Sequence, residues 1–229
     1  MGTLCGVGCA VVDEASSLLL AGCGLAVLTL VLAEYRDWPG VRAMAKMLAS
    51  TAFLALAVSW GSLHSLYGQW IMAALVLGWA GDACLLGRSR SAFTAGLFAF
   101  LLSHLCFATA FASGPWQADV AAMGLVAAMV AGVFIVRWLG PHLSAQDRWP
   151  VFAYVAVILL MCAAAVGRVA AAGEYLPLWG ALLFAASDIA VARERFVHSA
   201  WINRAWGLPT YYVAQILLAA SVLPEAARA

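Results

Sequence analysis

The stretch Leu75-Val76-Leu77-Gly78-Trp79-Ala80-Gly81-Asp82-Ala83-Cys84-Leu85-Leu86 decides the fold of this chain. Asp82 is the one charged residue between Gln69 and Gly87. An apolar run of about twenty residues is the length of a membrane-crossing helix. A carboxylate at mid-span costs about 2.5–3.5 kcal/mol to insert, so its presence calls for a purpose. The anomaly recurs in Leu182-Leu183-Phe184-Ala185-Ala186-Ser187-Asp188-Ile189-Ala190-Val191. A small residue precedes each acid, and an arginine follows a turn or two later, Arg88 after Asp82 and Arg193 after Asp188.

Working outward, the whole chain has this character. Of its 229 residues 66% are hydrophobic and only 10% charged, against roughly a quarter charged in a soluble domain. Mean hydropathy is +0.96, which places most of the chain in lipid. Only helices or closed barrels satisfy their backbone there. Barrel strands alternate apolar and polar residues over about ten positions, whereas these runs are apolar all round, so the expected fold is an all-α bundle. The net charge of +1 carries no nucleic-acid signal. Cys5, Cys9, Cys23, Cys84, Cys106 and Cys162 are scattered and read as small packing residues. The N-terminus lacks a basic region and carries Asp13 and Glu14, so no cleaved signal peptide is expected. Arginine far above lysine in an alanine-rich chain points to a high-GC bacterium.

Eight spans fit, near 16–33, 43–60, 69–87, 92–112, 118–138, 150–167, 177–193 and 204–222, forming one transmembrane domain over 1–229. The connectors hold turn formers such as Asp37-Trp38-Pro39-Gly40, Ser113-Gly114-Pro115 and Gly140-Pro141. Ten basic residues fall on connectors 1–2, 3–4, 5–6 and 7–8 or the adjoining span ends, against Arg168 and Arg228 on the other side. That bias predicts a cell-membrane protein with cytoplasmic basic connectors and both termini outside. Asp82 and Asp188 then each lie five residues short of a cytoplasmic span end, a depth of about 7.5 Å. Matched depth favours one shared polar site over two separate packing contacts. A weak duplication of four-helix halves would also account for it.

The other polar residues of the spans are the candidate surroundings. Tyr211 and Gln215 lie one turn apart on a single helix face. Ser103-His104 and Tyr154 sit in spans four and six, and Tyr154 and Tyr212 also suit interfacial positions. Lys46 either snorkels to the head groups or reaches an acid. Lys46, Arg88 and Arg193 serve as orientation charges and, in a sharper role, hold a lipid phosphate. Gly78 and Gly81 let a neighbouring helix approach Asp82.

These segments resemble the lysoplasmalogenase-like YhhN family of multispan membrane proteins. The resemblance is carried by Gly78-x-x-Gly81-Asp82-x-x-Leu85, then Phe93-x-x-Gly96-Leu97-x-x-Phe100-x-x-x-His104-x-x-Phe107. Pro150-x-x-x-Tyr154 with Met161 follows, then Gly180-Ala181-Leu182-Leu183-Phe184-x-x-Ser187-Asp188 with Arg195-Phe196, and Thr210-Tyr211-Tyr212-x-Ala214-Gln215. Together they cover most of residues 45–220. Two positions depart: Met47 stands where the family often has proline after the lysine, and Phe107 where it often has tyrosine.

The resemblance implies hydrolysis of the vinyl ether bond of a lysoplasmalogen, with choline or ethanolamine head group, to a fatty aldehyde and a glycerophospho-head group. It implies Asp82 and Asp188 as the catalytic acids. Vinyl ethers hydrolyse through protonation at carbon and attack of water on the oxocarbenium ion. Two carboxyls in a poorly solvated cavity can hold one proton between them and supply both acid and carboxylate, as paired carboxylates do in glycosidases. His104, Tyr211, Gln215 and Tyr154 would position water or the ether oxygen, and Lys46, Arg88 and Arg193 the phosphate. No metal or cofactor is expected; the partners are the lysophospholipid substrate and membrane lipids. The competing class is a proton-coupled transporter built on the same acids.

Overall fold

The structure, a computed structural model, describes residues 14–226. Cys5, Cys9, Asp13 and Arg228 lie outside the described residues. Among the described residues there is no strand. Eight long helices follow one another: α1 (Glu14–Arg36), α2 (Pro39–Ser59), α3 (Leu66–Cys84), α4 (Arg90–Ala112), α5 (Ala118–Leu139), α6 (Ala145–Ala172), α7 (Leu176–Ala192) and α8 (Trp201–Ala220). A short helix α9 (Leu223–Ala226) follows, and a π-helical turn (Arg193–Val197) extends α7.

Local chemistry sets the ends. The side chains of Ser65, Ser89 and Ser144 accept from the backbone N–H groups of Gly68, Ala92 and Asp147 and cap α3, α4 and α6. Pro39 and Pro177 occupy first-turn positions where no backbone donor is needed. Gly173 ends α6 at φ +70°, the left-handed region that glycine enters without strain.

The expected spans shift where a cap outranks the apolar pattern. The Ser144 cap and Asp147 start α6 five residues ahead of Pro150, and the helix continues to Ala172 instead of 167. The Ser65 cap draws α3 back to Leu66, and α3 stops at Cys84 rather than 87, which leaves Asp82 in its last turn.

Among the described residues six helices are long and apolar enough to cross a membrane by length and composition: α1, α2, α4, α5, α6, and α7 together with its π-helical turn. The other two, α3 (19 residues) and α8 (20 residues), are long enough but less apolar. Asp82 dilutes the first, and Asn203, Tyr211, Tyr212 and Gln215 the second. These polar positions are buried in the bundle rather than turned outward.

Consecutive helices pair as α1 with α2, α3 with α4, α5 with α6 and α7 with α8. Lateral contacts then close a ring in the order α1, α2, α3, α4, α6, α7, α8 and back to α1. Helix α8 also touches α2 and α3, which draws it inward. Helix α5 stands outside this ring against α6 and buries only Ala121, Gly132 and Leu139. Small residues permit the closest approaches. A Cβ on Gly81 would sit 2.7 Å from the Phe100 ring of α4, and one on Gly207 2.5 Å from Ala190 of α7.

At one end of the bundle Arg168, counted in the sequence on the side opposite the basic connectors, is wholly buried. It donates to Glu174 Oε2 through Nε (3.1 Å) and Nη2 (2.9 Å), and its guanidinium lies 4.1 Å from the centre of the Tyr67 ring. Glu174 follows directly on the Gly173 turn, which folds the carboxylate back over the end of α6.

Candidate functional site

Asp82 and Asp188 open onto one cavity of about 390 Å³, whose other walls are almost wholly apolar. The lining comes from α2 through α8, including Leu97 of α4, Ile135 of α5, Ile158 of α6 and Leu182 of α7. The two acids keep different company around it.

Asp82 is 2% exposed and receives three donors. Lys46 Nζ lies 3.1 Å from Oδ1. Ser50 Oγ donates to Oδ2 at 2.6 Å and Tyr211 Oη to the same oxygen at 2.8 Å. Lys46 and Ser50 are four residues apart on α2, hence on one face. Behind them the Tyr212 hydroxyl donates to the Lys46 carbonyl at 3.2 Å and lies 3.2 Å from Ser50 Oγ. Lys46 is the only lysine in the chain, and it faces this acid. A buried carboxylate is tolerable when a cation and hydrogen bonds meet it, as they do here.

Among the described residues Asp188 has no cation of that kind. Tyr154 Oη donates to its Oδ1 at 3.1 Å, and His104 Nε2 lies 3.2 Å from its Oδ2. The His104 contact is close but out of line, and neither atom completes a hydrogen bond. The other ring nitrogen settles the tautomer: Nδ1 is 2.6 Å from the carbonyl oxygen of Phe100. A carbonyl only accepts, so Nδ1 carries the hydrogen. Any proton between His104 and Asp188 therefore resides on Nε2 or on Oδ2.

An aromatic wall joins the two acids. The ring of Phe184 lies 4.3 Å from that of His104 and 5.4 Å from that of Tyr211, centre to centre. Phe100 is edge-on to both Phe184 and Tyr211. The chain of contacts thus runs from Asp188 through His104, Phe184 and Tyr211 to Asp82.

The remaining candidates are distributed as follows. Gln215 is wholly buried against Gly78, and neither end of its amide is in hydrogen-bond geometry. Ser103 donates to the Ala74 carbonyl and ties α4 to α3. Arg88 is exposed on the rim of a second space described below. Arg193 is turned away to donate to Asn203 Oδ1 at 2.7 Å. Ser50 was not legible as a site residue, although its place one turn beyond Lys46 was a usable signal. Tyr212, which also suited an interfacial position, is 1% exposed behind the Asp82 cluster.

An apolar helical bundle whose buried polar residues converge on two carboxylates defines a multi-pass helical membrane protein with an internal acid site. The YhhN family pattern matches residues 41–222, and the chain belongs to that family. It is 34% identical to lysoplasmalogenase TMEM86A of Homo sapiens over 67% of this chain and 65% of the relative. It is 36% identical to a lysoplasmalogenase of Mycobacterium bovis over 66% of this chain and 59% of the relative. It is 31% identical to lysoplasmalogenase TMEM86B of Mus musculus over 89% of this chain and 84% of the relative. The chain thus spans just under two thirds of the length of the TMEM86A relatives it matches. No solved structure matches it.

Proposed function

We infer that this protein is a membrane lipid hydrolase of the lysoplasmalogenase kind, cleaving the vinyl ether bond of a lysoplasmalogen with a choline or ethanolamine head group. The observation that carries this reading is the single apolar cavity onto which two differently partnered carboxylates open. A cavity with such walls suits one alkenyl chain, and acids at its wall suit a bond at the polar end of that chain.

The partners divide the labour. Lys46, Ser50 and Tyr211 converge on Asp82 as donors and bind it as a carboxylate. Asp188, with one hydroxyl donor and an imidazole nitrogen beside it, is the group that carries the transferable proton. Asp188 protonates the outer carbon of the vinyl ether, and the electron pair of the double bond forms the new C–H bond. Positive charge develops on the ether oxygen and its carbon. Asp82 and the faces of Phe184 and Phe100 stabilise that cation. The Asp188 carboxylate then takes a proton from water as its oxygen attacks the cationic carbon. The resulting hemiacetal loses its hydroxyl proton as the ether oxygen gains one, giving the aldehyde and the glycerophospho alcohol. Asp188 ends protonated, as it began. General acid–base catalysis of this kind contributes about 10²–10⁴-fold.

All eight long helices cross the membrane in this reading, with the basic connectors in the cytoplasm and both termini outside. The ten basic residues on one set of connectors support that orientation, and a bacterial cell membrane is the expected location.

The test is aldehyde release from lysoplasmalogen by purified protein in detergent. Asp188→Asn and Asp82→Asn are each expected to lower turnover about a thousandfold. Full activity in both variants would overturn the proposal. Turnover in detergent, where no gradient exists, also separates hydrolysis from transport.

A further inference from the structure

A second space of about 530 Å³ adjoins the apolar cavity, and Lys46, Leu85, Phe93, Val191, Gly207 and Leu208 belong to the walls of both. Its character is the opposite. Arg42, Lys46, Arg88, Arg195 and Arg204 line it, against the two carboxylates Glu34 and Glu194. Three net positive charges are thereby gathered in one recess of a chain whose whole net charge is +1. The arginines come from separate segments: the start of α2, the loop after α3, the π-helical turn and α8. Such convergence is built by the fold rather than by a run of basic sequence.

The two carboxylates do not neutralise it. Glu34 Oε2 is 3.8 Å from Arg42 Nη1 and 3.6 Å from Arg204 Nε, and Arg204 Nη1 is 3.5 Å from Glu194 Oε1. These pairs are loose. Glu194 is already engaged at shorter range by Ser199 Oγ (2.6 Å), Ala200 N (2.8 Å) and Asn203 Nδ2 (2.9 Å). Arg195 is exposed, its guanidinium held 4.4 Å above the Phe93 ring, and Arg88 is exposed beside it. Four guanidinium groups around one recess, with Arg42 and Arg204 held to carboxylates only at 3.5–3.8 Å, offer the donors that a phosphate takes.

We propose that this recess binds the phosphodiester of the substrate, with Arg42, Arg88, Arg195 and Arg204 as its donors. The proposal rests on the hydrolase reading and revises its phosphate contacts: Lys46 is committed to Asp82 and Arg193 to Asn203. The order of spaces matches the order of groups in a lysoplasmalogen. The tail fills the apolar cavity, the vinyl ether lies at the acids, and the glycerophosphate reaches the recess. Recognition falls on the phosphate, because five cationic side chains line the recess against two carboxylates, and Glu194 is already engaged by Ser199, Ala200 and Asn203. The soluble glycerophosphodiester product occupies the same recess and competes with substrate.

The test uses the purified full chain in detergent with two readouts. In turnover, Arg42→Gln/Arg204→Gln is expected to raise KM for ethanolamine lysoplasmalogen about tenfold with a much smaller change in kcat. The difference from wild type shrinks on an alkenylglycerol, which has the vinyl ether and no phosphate. Added salt raises wild-type KM toward that of the variant. Glu34→Gln, which frees Arg42 and Arg204, moves KM the other way. In binding, glycerophosphoethanolamine raises the melting temperature of wild type and not of the double variant. Inorganic phosphate in the same assay separates a head-group site from a general anion site, both of which keep the arginine cradle. Turnover with KM indifferent to the arginines and to Glu34 overturns the cradle and leaves the hydrolase standing. Arginine-dependent binding without turnover does the reverse. Equal losses on both substrates, with kcat falling, mark the arginines as structural and overturn the cradle.

Discussion

Asp82 and Asp188 look alike in the sequence and differ in every contact they make. Each follows a small residue in an apolar helix and precedes an arginine. Yet Asp82 sits in the last turn of α3, where the helix dipole disfavours negative charge, and Lys46 with two hydroxyls compensates. Asp188 lies a full turn inside α7, which runs on into the π-helical turn, and meets only Tyr154 and His104. The difference teaches that the partners of each acid are set by the neighbouring helices and not by the motif around it. Helices α2 and α8 bring a cation and hydroxyls to one acid; α4 and α6 bring an imidazole and a phenol to the other.

The largest effect that tests this contrast comes from Lys46→Met. It leaves Asp82 buried without its cation, a change that costs about 3–5 kcal/mol. The expected result is a lower melting temperature in detergent and a loss of turnover of about a thousandfold. Adding Asp82→Asn restores the stability, since no buried charge is left unpaired, but not the activity. A single variant Lys46→Met with wild-type stability and turnover would show that Asp82 does not depend on this cation, and the division between the acids would fail.

His104→Gln probes the other side. The proposed reaction needs a carboxylic acid that is aligned with the vinyl ether carbon. Tyr154 on α6, Cys162 on α6 and, across the cavity, Lys46, Asp82 and Tyr211 are the titratable groups that face or surround the pair. Only His104 sits against Asp188 Oδ2. His104→Gln should therefore lower kcat about a hundredfold with KM nearly unchanged. A loss of activity matched by a lower melting temperature in detergent would make His104 a packing residue, held by Phe100 and Phe184.

Much of this was legible in the sequence, for physical reasons. A charge within an apolar run has no innocent explanation in lipid, so Asp82 and Asp188 stood out unaided. All eight helices did too, because the apolar runs are separated by proline or glycine turns or, between the last two, by the charged stretch Arg193-Glu194-Arg195. Less legible was anything that depends on which helices meet. Ser50 is an ordinary helix serine until α2 is laid against α3 and α8. Arg193 looked equivalent to Arg88, but the π-helical turn carries it to Asn203, whereas Arg88 stays on the recess. Arg42, Arg195 and Arg204 counted only as orientation charges because their convergence is tertiary. Arg168 counted only as a basic residue of the opposite side, and the turn at Gly173 shows that Glu174 folds back to it.

The smallest effects give the finest discrimination, because Tyr154 and Tyr211 each donate one hydrogen bond to one acid. If both acids were equivalent, removing either hydroxyl would cost the same. Asp82 keeps Lys46 and Ser50 after Tyr211→Phe, so its charge remains matched, and kcat should fall only about threefold. Among the described residues Asp188 has no other hydroxyl donor, so Tyr154→Phe frees its Oδ1 to rotate and disturbs the alignment of the proposed acid with the substrate carbon. A fall in kcat of about tenfold is expected, with KM nearly unchanged because the phenol orients a reacting group rather than the lipid. Both substitutions keep the ring and its aromatic contacts, so stability barely moves. The order of the two kcat values is the decisive quantity: a larger loss from Tyr211→Phe than from Tyr154→Phe would reverse the roles assigned to the acids and make Asp82 the proton donor.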